Sequence, residues 1–184
     1  LAASRTARAE DLDVGPGQTP PLPAGNGSDC HIADATPLLD AAHYKSKGYA
    51  LKKLQENPLI LQETVSFKGD GPLALDVRQR GCEDIYVSLE FTFQDDPKMP
   101  RDASLTAAAR GLKTLKLSPK ALLDAHTLSE IAGALEAKAH SIPEHAPDSQ
   151  YVACLQRLSK GECVEDVAVK FAAPKLKVIY VDRP

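Results

Sequence analysis

The chain of 184 residues contains no tryptophan, four phenylalanines and five tyrosines. Sites that hold sugars or bases by ring stacking spend more aromatic surface than this. No apolar run approaches the ~18 residues that cross a bilayer as a helix, so no transmembrane span is expected. Positive charge is not in surplus either: 22 Lys and Arg stand against 25 Asp and Glu, for a formal net charge of -3. Nucleic acid and anionic membrane attract basic surfaces, so neither is expected as the main partner. There is no CxxC, which removes the zinc knuckle and the thioredoxin-like redox motif. There is no GxSxG elbow to expose a serine nucleophile. Gly69-Asp70-Gly71 lacks a long phosphate cradle and a following Lys-Ser/Thr, so it reads as a hairpin turn. No cofactor is expected.

What the chain does have is a central patterned stretch, Leu59 to Gln94. From Ile85 to Phe93 the apolar residues fall on odd positions, and Tyr86, Ser88, Glu90 and Thr92 fall between them. Such alternation puts one set on each face of a pleated strand. Leu73, Leu75 and Val77 keep the same phase against Asp76 and Arg78, and Val65 and Phe67 keep it against Thr64 and Ser66. With turns at Gly69 to Pro72 and near Gly81, the stretch is a three-strand antiparallel meander. Its apolar face needs a cover.

The flanks are read in the same way. Residues 10–28 hold four Pro and four Gly and read as a flexible tether. Ala7-Arg8-Ala9 before Glu10 fits a small-x-small cleavage pattern, so residues 1–28 are expected to be a leader and 29–184 a single domain. Thr36-Pro37 opens one or two helical turns. Tyr49 to Glu56 suggests a short helix with Leu51 and Leu54 on one face, stopped at Asn57-Pro58. Asp102 is expected to cap a helix from Ala103 to Leu117. Thr127-Leu128-Ser129-Glu130 matches a capping box, followed by the stripe Leu128, Ile131, Leu135 and Ala139. Tyr151 to Leu158 fits strand or helix. Cys163 to Phe171 and Lys175 to Asp182 read as strands. The fold class is therefore α+β: an antiparallel sheet built from both ends of the chain, covered by a central helical pair and stapled by two disulfides.

The four cysteines are Cys30, Cys82, Cys154 and Cys163. Pairing them consecutively gives Cys30–Cys82 and Cys154–Cys163, and disulfides imply an oxidising compartment, periplasmic or secreted. The densest set of ligand-type residues is His140, Glu144 and His145, with Asp148 beyond. The two histidines lie five apart across a proline, not the one-turn spacing of a helical metal motif, so a polar helix end is the favoured reading and a metal-dependent hydrolase the alternative. Arg110, Lys113 and Lys116 make a basic ridge on the first long helix. The pattern favours a non-enzymatic binding protein of the bacterial envelope, an inhibitor or immunity protein acting on a toxin or wall hydrolase. Its expected contacts lie in turns at the ends of the sheet: Lys68 and Asp70, Arg80, Glu83 and Asp84, and Lys160 and Glu162.

Overall fold

The computed structural model describes residues 36–56, 59–67, 72–81, 84–93, 99–143 and 145–183. Seven strands form one antiparallel sheet: β1 (Ala50–Glu56), β2 (Leu59–Ser66), β3 (Ala74–Gly81), β4 (Ile85–Thr92), β5 (Ser149–Arg157), β6 (Cys163–Ala172) and β7 (Lys175–Asp182). Their spatial order is β1-β2-β3-β4-β7-β6-β5. Two meanders thus meet at their last strands, with Leu89 opposite Val178 at the seam. The expected antiparallel α+β class holds.

The inward face carries the predicted phase. Leu75, Val77, Val87, Leu89 and Phe91 are buried, and Val167, Val169, Leu176 and Val178 continue the same layer. Helices α2 (Arg101–Thr114) and α3 (Ala125–Ala139) cover it through Leu105, Ala108, Leu112, Leu128, Ile131 and Leu135. Gly111 lets α2 come close to β4: a Cβ there would stand 3.0 Å from the Phe91 ring.

Several local expectations are corrected. Ala50 to Glu56 is an edge strand and not a helix. Pairing with β2 supplies backbone partners that a seven-residue helix of Lys, Gln and Glu would have to find alone, and this outweighs propensity. Leu51 and Leu54 share no buried face; both are exposed. The early helix, α1, is a single turn at Ala41–Tyr44, capped by Asp40, whose carboxylate accepts from the Ala42 and His43 amides at 3.0 and 3.2 Å. Leu38 and Leu39 are instead buried outside any helix, and Leu39 is bridged to Leu117. Helix α2 starts at Arg101, so Asp102 lies in its first turn and does not cap it. Helix α3 is capped by Asp124, which accepts from the Thr127 amide at 2.8 Å, ahead of the expected capping box. The Tyr151 to Leu158 stretch resolves as strand up to Arg157, within β5.

Cys154 and Cys163 are disulfide-bonded across the β5–β6 hairpin, with their Cα atoms 5.8 Å apart. It is the one disulfide among the described residues. Cys30 and Cys82 lie outside them, as does the leader. The hairpin turns through Gly161, whose φ of 83° is the left-handed region where only glycine sits without strain.

Candidate functional site

The strand register sorts the predicted contact residues by end of the sheet. Ile85, the first residue of β4, is opposite Asp182 at the end of β7, and Asp182 is opposite Glu165 near the start of β6. The β3–β4 turn, the β5–β6 turn and the end of β7 therefore share one end. Arg80, near the end of β3, and Asp84 flank the first turn, and Lys160 and Glu162 come from the second. The two turns are three strand spacings apart, about 14 Å. The β2–β3 connection leaves from the opposite end, where the Phe67 amide donates to Leu73 O at 2.8 Å. Lys68, Asp70 and Glu83 themselves lie outside the described residues.

The shared end is stiffened from within. The Arg80 guanidinium lies over the Tyr86 ring, 4.5 Å from its centroid. Tyr180 donates its hydroxyl hydrogen to Glu165 Oε2 at 2.9 Å. Burial, and then that carboxylate, push the Tyr180 hydroxyl far above the usual tyrosine range. Burial also raises the Asp182 carboxyl, helped by the charge of Asp84. In the β5–β6 turn the Leu158 amide donates to Glu162 O and the Gly161 amide to Leu158 O, both at 2.8 Å. Arg157 Nη1 donates to Gly161 O at 3.0 Å, across the turn that the disulfide closes.

The second surface is the sheet face away from α2 and α3. By alternation it carries Asp76, Arg78 and Arg80 from β3, Tyr86, Ser88 and Glu90 from β4, Lys175 and Lys177 from β7, and Asp166 and Lys170 from β6. Its carboxylates are held by neighbouring cations. Arg78 Nε meets Asp76 Oδ1 at 3.2 Å, and Lys175 and Lys177 meet Glu90 at 2.8 and 3.5 Å. Arg183 pairs with Asp166. Burial alone would raise the Glu90 carboxyl, but Lys175 and then Lys177 hold it below the ordinary glutamate range.

Among the described residues, His140 and His145 form no ligand group with a third residue. His140 is the C-cap of α3, His145 is exposed in the following loop, and Glu144 lies outside the described residues. Asp148 is engaged elsewhere, by Arg101 Nη2 at 2.6 Å. Among the described residues, one group has ligand-type atoms close enough to share an ion: Cys154, Cys163 and Asp166. Both of its sulfurs are committed to the disulfide, which leaves no thiolate to donate.

One polar cluster escaped the sequence reading. Glu63 is fully buried on β2. It accepts from the Leu38 amide at 2.6 Å, the Leu39 amide at 3.0 Å, the Tyr49 hydroxyl at 3.0 Å and Gln79 Nε2 at 3.1 Å. Gln79 Nε2 also donates to Thr36 O at 3.1 Å. Burial raises the Glu63 carboxyl, against the pull of the Leu39 and Leu38 amides, Tyr49 and Gln79. The cluster ties the segment before α1 to the sheet. Its signal was in the phase: Glu63 falls in step with Leu61 and Val65, and Gln79 with Leu75 and Val77.

No family model, curated protein or solved structure matches the chain.

Proposed function

We propose that this is an exported, non-enzymatic binding protein of the bacterial envelope, of inhibitor or immunity type, which blocks a toxin or wall hydrolase by presenting a stiff surface. The observation that carries the reading is the shared end of the sheet. Four strands deliver two turns there, and the Cys154–Cys163 bond braces the outer one. Arg80, Asp84, Lys160 and Glu162 are its contact residues. The disulfide also supports an oxidising compartment, periplasmic or secreted.

A second bond, Cys30–Cys82, belongs to the same proposal. Thr36 is held by Gln79, three residues before Cys82. Cys30 is six residues before Thr36, a reach of about 20 Å when extended. Thiol titration of the unfolded, unreduced protein is expected to find no reactive sulfhydryl, and finding two would remove this bond.

Affinity capture from an envelope fraction, followed by mass spectrometry, tests the function. One specific protein is expected, released by the double substitution Arg80→Glu and Lys160→Glu. Capture of no specific protein would count against the binding reading.

A further inference from the structure

The sheet face opposite the helices is cationic on a chain that is not. Its four central strands, with Arg183 just beyond β7, place Arg78, Arg80, Lys170, Lys175, Lys177 and Arg183 on that side. Among the described residues of these strands, three carboxylates share it: Asp76, Glu90 and Asp166. The chain as a whole is at -3, so charge is segregated onto this side.

The ion pairs are also layered. Asp76 is 25 % exposed under Arg78 at 43 %, and Glu90 is 25 % exposed under Lys175 at 48 % and Lys177 at 31 %. Asp166 is 24 % exposed under Arg183 at 40 %. In each pair the carboxylate lies deeper and the cation reaches further into solvent. An approaching surface meets the cations first. The acids beneath hold the long side chains in place, which lowers the ordering cost of using them in an interface.

We propose that this face is a docking surface for an acidic protein, whose carboxylates pair with Lys175, Lys177, Lys170 and Arg78. The proposal rests on the binding reading above and names the partner's chemistry. The antiparallel backbone fixes the pattern: Lys175 and Lys177 stand about 7 Å apart along β7, and Lys170 is one strand spacing, about 5 Å, from Lys177. Steering by such a face is screened over about 8–10 Å at physiological salt, so its contribution is salt-dependent.

The test uses the full-length oxidised protein and fluorescein-labelled poly-L-glutamate as probe, read by anisotropy. Binding is expected, and it weakens as salt rises. Reversal of the face by Lys170→Glu, Lys175→Glu and Lys177→Glu should lower affinity at least about tenfold. The milder Lys175→Gln, Lys177→Gln pair gives a smaller loss and guards against a folding defect, checked by circular dichroism. Reversing Arg110 and Lys113 on α2, with Lys116 just beyond its end, should leave binding unchanged. No binding, or equal loss from the α2 reversal, overturns the proposal. So does stronger competition from duplex DNA or anionic phospholipid vesicles than from unlabelled poly-L-glutamate. An envelope partner retained by the reversed face would overturn this assignment and leave the binding reading standing.

Discussion

Glu63 is a fully buried carboxyl, and among the described residues no cation is paired with it. Its neutralisation is done by dipoles: two backbone amides, a tyrosine hydroxyl and an amide side chain. Glu63→Ala leaves the Leu38 and Leu39 amides buried without an acceptor and should cost about 2–5 kcal/mol in urea unfolding. Glu63→Gln keeps the shape but turns one oxygen into a donor facing donors, at about 1–3 kcal/mol. The pH dependence has a definite sign. The folded-state carboxyl is raised above its ordinary value of 4.5, so the folded protein binds this proton more tightly than the unfolded chain. The stability from this group is full below about pH 4.5 and declines as pH rises through the folded value. The difference in unfolding free energy between wild type and Glu63→Gln, followed from about pH 4 to about pH 7, isolates that slope. A difference that grows with pH would contradict the assignment. Gly111 is a steric counterpart. Its neighbour Phe91 is fully buried, so with Gly111→Ala the ring or α2 has to give by a few tenths of an ångström against close packing, and a net loss of about 1–3 kcal/mol is expected despite alanine's better helix propensity.

Among the elements, the β5–β6 hairpin shows what a covalent link adds to pairing already present. The bond spans nine residues, and the chain-entropy model gives such a loop about 2.5 kcal/mol. Cys154→Ala with Cys163→Ala should lower the urea midpoint accordingly while leaving the sheet intact by circular dichroism. An unchanged midpoint would mean that the turn through Gly161 already fixes the hairpin. The hairpin was partly legible: Cys154 and Cys163 were expected to pair and Cys163 to Phe171 read as strand, but Tyr151 to Leu158 fitted strand or helix. Strand β1 was not. Leu51 and Leu54 are three apart, and Lys, Gln and Glu favour helix, so the local pattern pointed away from the outcome. The deciding partner was β2 just beyond Asn57-Pro58, and pairing energy does not appear in composition. The caps show a smaller version of the same limit: the sequence pointed to a start at Thr127, and the fold begins α3 three residues earlier, behind Asp124.

At the scale of the molecule, the alternation of β3, β4, β6 and β7 and the stripes of α2 and α3 carried the fold class, because each states which side must be covered. The spatial order of the strands was out of reach. The β4–β7 pairing joins residues such as Leu89 and Val178, far apart in sequence, and nothing local selects it over a sheet closed through β5. The candidate surfaces divided the same way. Arg80, Asp84, Lys160 and Glu162 were named from their turns, but their common end follows from strand direction. The cationic face needed the seam, since Arg78 belongs to one meander and Lys177 to the other.

The register breaks in this sheet fall in its outermost pairs. β1 slips between Lys53 and Gln55, and β5 slips between Tyr151 and Ala153 and again around Gln156. A straight, apolar border would recruit strands from other copies and grow into fibrils; kinked borders bearing Lys52 and Lys53 deny them a template. Lys52→Val with Lys53→Val should therefore yield thioflavin-positive aggregates from a chain whose interior is untouched, and a clear solution at the same concentration would show that the kinks suffice alone.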